Sequence, residues 1–235
     1  MPNNGLIFTA IQFFLLWNRV HGCPFLDSKE SSNPISLKFH EGLHRHLRSN
    51  GGYTPGVCAK TNGAEAKEDD ASICSAYQGI KKDFTNIIPS TPFDKANLYG
   101  AAVRLAFHDA GEIDLTNSTD TMGPDGCLSS SSDNAGLVED TSIVYTVIEP
   151  MWQSYCDKIS RADFWVLFAK LALEFSDPTK SIQLDYQYGR QDKTVCEPKV
   201  ERLPDAQYGM EMIQKVFVTQ MGLSIEDAGI INFPF

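Results

Sequence analysis

One segment of the chain is apolar on nearly every side. Residues 159–175 read ISRADFWVLFAKLALEF, and Ser160 stands where its hydroxyl can accept a hydrogen bond from a backbone N–H of a first helical turn. A helix that is apolar all round has no face suited to water, so other elements have to surround it. The segment therefore predicts a helix at the centre of the core.

Helical spacing of apolar residues recurs on both sides of this segment, whereas the alternation that marks a strand is absent. The other predicted helices cover 71–88, 93–110, 138–156 with an interruption at Pro150, and 205–221. The predicted loops are 111–135 and 176–203, and residues 224–227 read as the first turn of a helix that does not develop. These patterns predict an all-α fold.

The N-terminal residues read as a targeting segment. Residues 5–17 form an apolar run of thirteen, too short to span a bilayer comfortably but of signal-peptide length, and Val20 and Gly22 precede a possible cleavage point. We predict a signal peptide over 1–22, a polar extension over 23–70, and a secreted, extracellular protein that leaves the membrane after cleavage. No Lys or Arg precedes the run, so an uncleaved anchor or a buried helix is the alternative.

The number of cysteines indicates whether disulfide bonds cross-link the fold. An even number of cysteines in a secretory context predicts disulfides, and the sequence leaves their pairing open. The six are Cys23, Cys58, Cys74, Cys127, Cys156 and Cys196.

Thirty acidic against twenty basic residues give a net charge of −10. A chain with this charge is not expected to bind nucleic acid or an anionic membrane surface, because both need a basic face.

The sequence AAVRLAFHDAG places two reactive side chains four residues apart, so Arg104 and His108 share one face of a helix. Imidazole can take up and return a proton near neutral pH, and a fixed guanidinium can stabilise charge that develops on a departing oxygen. The alternative is a surface arginine and a histidine that interacts with the negative end of the helix dipole.

These residues begin a series of motifs that, in their order along the chain, resemble the haem peroxidase superfamily of plants, fungi and bacteria. The motifs are RLAFHDAG (104–111), MGPDG (122–126), DNAGLVE (133–139), ISRADFWVLFAKLAL (159–173), YGRQDK (188–193), RLPDA (202–206) and VFVTQMGLSIED (216–227). GRQDK and RLPDA are most similar to the ascorbate and cytochrome c peroxidase branch, whereas the cysteines resemble the secreted branches. The resemblance implies a haem-peroxidase-like helical domain over 71–235.

The resemblance also implies roles for individual residues around a haem b cofactor. His108 would be the distal acid–base for hydrogen peroxide, and Arg104 would stabilise the charge that develops as the O–O bond breaks. Asn134 would accept the other ring N–H of His108 and so fix its tautomer. Phe107 would pack over the distal haem face, where the ascorbate branch usually carries Trp.

A calcium site is a further implication of the resemblance. Asp109, Gly123 and Asp125 match calcium ligands of the secreted branches. The next ligand in the family is usually a serine, but this sequence has Cys127, and a thiol is a poor calcium ligand. The alternative is a solvated acidic loop with Cys127 in a disulfide.

The family's proximal histidine, which holds the haem iron, is expected at the eighth residue after Asp227, where this sequence has Phe235. No histidine follows His108, and the others are His21, His40, His44 and His46. The resemblance therefore covers a distal domain and the start of a proximal domain. We expect a chain truncated before the proximal histidine, which binds haem weakly or not at all.

Three functions follow as hypotheses. The first is a haem peroxidase that uses hydrogen peroxide to oxidise a small reducing substrate and serves in the response to oxidative stress. The second is a truncated, haem-free family member that acts by binding, as a decoy, or as a non-functional isoform. The third is a plain secreted helical domain of the disulfide and calcium type. A visible spectrum with added haemin distinguishes the first two.

Overall fold

The computed structural model describes residues 56–63, 65–129, 132–196, 202–204 and 208–231. Its α-helices are α1 (Asp70–Ile87), α2 (Pro92–Ala110), α3 (Glu149–Gln153), α4 (Arg161–Ser176), α5 (Gly209–Ile213) and α6 (Ile225–Ile231). A π-helical turn, Val144–Ile148, leads into α3, and another, Gln214–Gln220, continues α5. No β-strand occurs in these ranges, so the prediction of an all-α fold is confirmed.

Helix α4 is the centre of the larger core. Every residue from Arg161 to Ala172 is buried, and the helix packs against α2 and α1. The Ser160 hydroxyl accepts a hydrogen bond from the backbone N–H of Asp163 at 3.2 Å, which confirms the predicted N-cap. This predominantly apolar segment thus forms the central helix that the sequence predicts.

Two acidic side chains from distant segments hold the N-terminus of α4. The Asp192 carboxylate accepts hydrogen bonds from the backbone N–H groups of Arg161 and Ala162 at 2.8 and 2.9 Å. Glu68 accepts one from the backbone N–H of Ser160 at 2.7 Å. These contacts satisfy N–H groups that have no partner within the helix, and they bring the loop around Asp192 against the core.

Helix α2 presents a buried face to the core and a more open face beside it. Thr91 caps its N-terminus by accepting a hydrogen bond from the backbone N–H of Asp94. Leu98, Ala102 and Leu105 are buried. Arg104 and His108 lie on the neighbouring face, where Arg104 is exposed and His108 is half-buried.

Three predictions about individual helices differ from the structure. The helix expected over 138–156 is confined to 143–153, because residues before it turn at Gly136, which has a positive φ of 84°, and Ser142 bonds its hydroxyl to the carbonyl of Leu137. The helix expected over 205–221 begins at Gly209. The segment after residue 224 does form a helix, α6, because Ser224 caps the backbone N–H of Asp227 at 3.0 Å.

A smaller hydrophobic cluster lies at the end of the chain that carries α5 and α6. It consists of Val216, Phe217, Met221, Leu223 and Ala228. Phe107 and Ile113 pack against this cluster, and the backbone N–H of Leu115 donates to the carbonyl of Gln220 at 2.8 Å. The loop that follows α2 is therefore attached to the C-terminal helices.

The predicted disulfides are confirmed, and the structure gives two of the pairings. Cys58 is bonded to Cys156, and Cys127 is bonded to Cys196. Cys74 is also disulfide-bonded. The predicted signal peptide over 1–22 and most of the extension over 23–70 lie outside the described residues. Within the described ranges, no helix has both the length and the apolar character needed to cross a membrane.

Candidate functional site

His108 and Asn134 meet although 26 residues separate them. His108 lies in the last turn of α2, and Asn134 is the final residue of a short 3-10 turn, Ser132–Asn134. The Nδ1 atom of His108 and the Oδ1 atom of Asn134 are 2.8 Å apart. Asn134 is fully buried, so its amide is held by its neighbours rather than by water.

The hydrogen bonds of the Asn134 amide fix the tautomer of His108. The Nδ2 atom of Asn134 donates to the carbonyl of Ser129 at 2.8 Å and to Oε1 of Glu112 at 3.2 Å, so Oδ1 faces the imidazole. Because Oδ1 can only accept, Nδ1 of His108 carries the proton and donates it. The Nε2 atom is therefore the unprotonated nitrogen and is available as a base.

Arg104 stands beside this base. Its Nε atom donates to Nε2 of His108 at 3.2 Å, which agrees with the same tautomer, and its Nη2 atom donates to the carbonyl of Asp133 at 3.0 Å. Gly136 makes room for the guanidinium, since a Cβ at this position would lie 3.1 Å from Nη1 of Arg104. The positive φ of Gly136 also favours glycine there.

The surroundings of His108 favour its neutral form. The pKa of His108 is lowered to about 4, chiefly by burial; the hydrogen bond to Asn134 opposes this shift and the Arg104 guanidinium adds to it. At neutral pH the imidazole is therefore uncharged. A proton acceptor and a fixed cation stand side by side.

Glu112 is a residue of this site that the sequence did not reveal. Its buried Oε1 atom accepts hydrogen bonds from the backbone N–H of Ser129 at 3.2 Å, from the Ser129 hydroxyl at 2.8 Å and from Asn134. Burial raises the pKa of Glu112, while the bonds from Ser129 oppose this rise. In the sequence, Glu112 is an acidic residue two positions beyond the end of α2, and no local sequence pattern relates it to Asn134.

Phe107 is placed next to the same histidine. Its ring centroid lies 5.8 Å from that of His108, edge to face, and 5.9 Å from that of Phe217. The ring is half-buried and packs against the smaller hydrophobic cluster. Phe107 therefore forms an apolar border to the open wall that carries Arg104 and His108.

The three residues predicted to bind calcium are in contact with other groups of the protein. Both carboxylate oxygens of Asp109 accept backbone hydrogen bonds, from Asp125 at 3.3 Å and from Gly126 at 3.2 Å. Asp125 forms an ion pair with Lys193, with 3.3 Å between Oδ2 and Nζ. Gly123 turns with a φ of 134° against Ile113. Across the described part of the chain, no group of three or more acidic, histidine or cysteine side chains could hold a metal ion.

The arrangement can move a proton to and from a small molecule. The half-buried His108 and the exposed Arg104 lie on the same face of α2, and Nε of Arg104 contacts Nε2 of His108 there. A neutral base beside a permanent cation is suited to a substrate that loses a proton and then develops negative charge on another atom.

Comparisons with known proteins point to one family. A model of the peroxidase family matches residues 80–231, more than half of the chain. L-ascorbate peroxidase 3 of Oryza sativa subsp. japonica, named as probable and peroxisomal, is 38% identical over 164 residues, which cover 67% of this chain and 50% of the relative. The cytosolic L-ascorbate peroxidase 1 of Oryza sativa subsp. indica is 36% identical over 130 residues, which cover 53% and 48%.

A more distant relative comes from a fungus. A protein of Candida albicans that is provisionally named a heme-binding peroxidase is 31% identical over 156 residues, which cover 62% of this chain and 49% of the relative. The chain therefore spans about half the length of the relatives it matches.

The prediction of a secreted protein is wrong. Ascorbate peroxidases similar to this chain are named cytosolic or peroxisomal rather than secreted. The prediction of secretion depended on the apolar run over 5–17, which has the length of a signal-peptide core but lacks the positive charge that usually precedes one. The signal peptide over 1–22 stays a prediction.

Proposed function

The chain belongs to the peroxidase family, and from this premise we propose that it reduces hydrogen peroxide with haem b and oxidises a small reducing substrate. The observation that carries the proposal is the unprotonated Nε2 atom of His108, oriented by Asn134 and adjacent to Arg104. A base that is neutral at pH 7 can take the proton of the peroxide. The cation beside it can stabilise the negative charge that develops when the O–O bond breaks. The overall reaction converts one hydrogen peroxide, two protons and two electrons from the donor into two waters.

The chain's own residues supply proton transfer and charge stabilisation. Hydrogen peroxide displaces Arg104 from Nε2 of His108, and this nitrogen takes the proton from one peroxide oxygen. The guanidinium of Arg104 then faces the other oxygen, where negative charge develops as the O–O bond breaks. His108 returns the proton to that oxygen, which leaves as water. Asn134 holds the ring so that Nε2 remains the reactive nitrogen throughout.

The face of α2 that carries these residues fits one side of a haem. Arg104, Phe107 and His108 lie on neighbouring positions of one face, with an apolar ring beside the polar pair. When bound, haem supplies the redox-active iron at which peroxide is cleaved. His108 is the one histidine in the described ranges, so a second histidine that would hold the haem iron is not among the described residues.

Ascorbate is the first donor to test. It is named as the substrate of several relatives at 34 to 38% identity. A role in the response to oxidative stress is part of the same proposal, since the reaction removes hydrogen peroxide. The haem-free family member is the competing function.

A haemin titration of the full chain, followed by hydrogen peroxide and ascorbate, tests the proposal. One arm contains millimolar imidazole, a small molecule that can supply the axial nitrogen. In the imidazole arm we expect a saturable change in the Soret band. We also expect hydrogen peroxide to be consumed faster there than by haemin and imidazole without the protein. A folded chain that leaves both signals at the protein-free level would contradict the proposal and favour the haem-free function.

The pH dependence of peroxide consumption is expected to report on His108. The neutral imidazole is the active form, so the rate should be constant above a pKa of about 4 and fall about tenfold per pH unit below it. Asn134→Asp places a carboxylate against Nδ1, which stabilises the imidazolium and should move the fall to higher pH. Circular dichroism at each pH controls for acid unfolding. Identical profiles for the two proteins would contradict the assigned base.

A further inference from the structure

The segment that contains Asp109 and Asp125 resembles a calcium loop, yet it includes a cation of its own. We propose that the ammonium group of Lys193 takes the place of a metal ion, so that this loop is held in its folded form without calcium. The proposal concerns the stability of the loop and is independent of the proposed peroxidase activity.

Both carboxylate oxygens of Asp125 have a partner within the protein. Its Oδ1 atom accepts a hydrogen bond from the backbone N–H of Cys127 at 3.0 Å, and its Oδ2 atom faces Nζ of Lys193 at 3.3 Å. Both side chains are largely buried, with exposed fractions of 14% and 19%.

A backbone hydrogen bond and a nearby disulfide hold the segment of Lys193 against the loop. Its own backbone N–H donates to the carbonyl of Asp125 at 2.8 Å. Three residues later, Cys196 is bonded to Cys127 by a disulfide. The ammonium is therefore delivered to the loop by a segment that is already attached to it at two points, which lowers the entropy cost of forming the ion pair.

The position of the ammonium disfavours a divalent cation on the Oδ2 atom of Asp125. Calcium lies 2.3–2.6 Å from its oxygen ligands, so an ion on Oδ2 of Asp125 would be within about 6 Å of Nζ of Lys193. At that distance, in a buried location, a divalent and a monovalent cation repel strongly. Backbone N–H groups already donate to both carboxylate oxygens of Asp109, at 3.3 and 3.2 Å, so this side chain is held by the loop itself.

The loop matters for the site because it continues into the residues that support Asn134. Ser129 follows Cys127 by two residues, and its carbonyl accepts the hydrogen bond from Asn134. Asp109 follows His108 directly and binds the backbone of Gly126. An internal cation would therefore keep the support of His108 independent of the calcium concentration.

Thermal unfolding of the full chain tests the proposal. The wild-type midpoint is expected to change by less than about 1 °C between EDTA and millimolar calcium, and calorimetry should detect no calcium binding. Lys193→Met keeps the aliphatic stem but removes the charge and leaves Asp125 buried without a cation, so the midpoint in EDTA should fall by about 10 °C. Lys193→Arg, which keeps the charge, should lose less than half of that.

A surface ion pair supplies the matched control. Lys60 pairs with Asp157 at 3.1 Å, and both side chains are well exposed, so Lys60→Met should lower the midpoint by no more than about 2 °C. Stabilisation of the wild type by calcium, or loss of stability in EDTA, would overturn the proposal. So would a Lys193→Met protein that unfolds at the wild-type temperature. If Lys193→Met does not fold, the wild-type calcium titration and Lys193→Arg still decide.

Discussion

Replacement of His108 by leucine is expected to slow the consumption of hydrogen peroxide by the haemin-loaded chain by a factor of about 10² to 10⁴. Leucine fills the space of the ring but has no nitrogen that can accept the peroxide proton. Arg104→Ala should cost about 10² to 10³, because it removes the cation that faces the departing oxygen. The measurement is the second-order rate constant for the reaction with hydrogen peroxide at pH 7, with haem loading determined for each variant.

The matched control lies on the same helix. Asn97 is an exposed residue of α2, and no hydrogen bond connects it to His108 or Asn134 in the described structure, so Asn97→Ala should keep the wild-type rate. Rates for His108→Leu within about threefold of the control would show that His108 is not the base. Loss of rate in Asn97→Ala to the same extent would point to a general effect on α2.

The second large effect concerns the stability of the core. Glu149→Ala is expected to lower the free energy of unfolding by about 3–5 kcal/mol, because it leaves the Arg161 guanidinium buried without its carboxylate. The exposed fractions of the two side chains are 1% for Arg161 and 7% for Glu149, and Nη2 lies 2.8 Å from Oε2. The indole N–H of Trp165 also loses its acceptor, since it donates to Oε1 of Glu149 at 2.8 Å. Urea unfolding monitored by tryptophan fluorescence measures this change.

A double variant distinguishes the stability lost with the Glu149–Arg161 ion pair from the stability lost when one charge stays buried without a partner. Glu149→Leu combined with Arg161→Leu should be more stable than Glu149→Leu alone, because no unpaired charge then remains in the core. Asp157→Ala removes the exposed partner of Lys60 and should cost less than about 1 kcal/mol. A Glu149→Ala protein as stable as Asp157→Ala would contradict the role assigned to this pair.

Much of the helical framework was predictable because its signals are local. The apolar segment over 159–175 and its Ser160 cap predict α4 to within two residues at each end. The spacing of Arg104 and His108 alone places them on one face, since four residues make about one turn of any α-helix. The helix predicted over 138–156 was too long because a periodic pattern does not show that Gly136 and Ser142 direct the chain into turns first.

Contacts between distant residues divide into those that a resemblance implies and those that only the folded chain reveals. Asn134 was identified through its motif, and the structure gives its distance to His108. Glu112 belongs to no motif of the resemblance, yet it binds the same asparagine. The pairing of Cys127 with Cys196 likewise could not be chosen among the alternatives that the sequence leaves open.

The sequence by itself determined the all-α class, the central helix and the pair formed by Arg104 and His108, because each depends on periodicity within a few turns. Only the tertiary structure decided what surrounds that pair. Asp109 and Asp125 match a calcium loop in the sequence, but the fold brings Lys193, which lies 68 residues beyond Asp125 in the numbering, to 3.3 Å from the Asp125 carboxylate. A metal-ligand motif specifies oxygen donors, whereas the cation that meets them depends on how distant loops pack together.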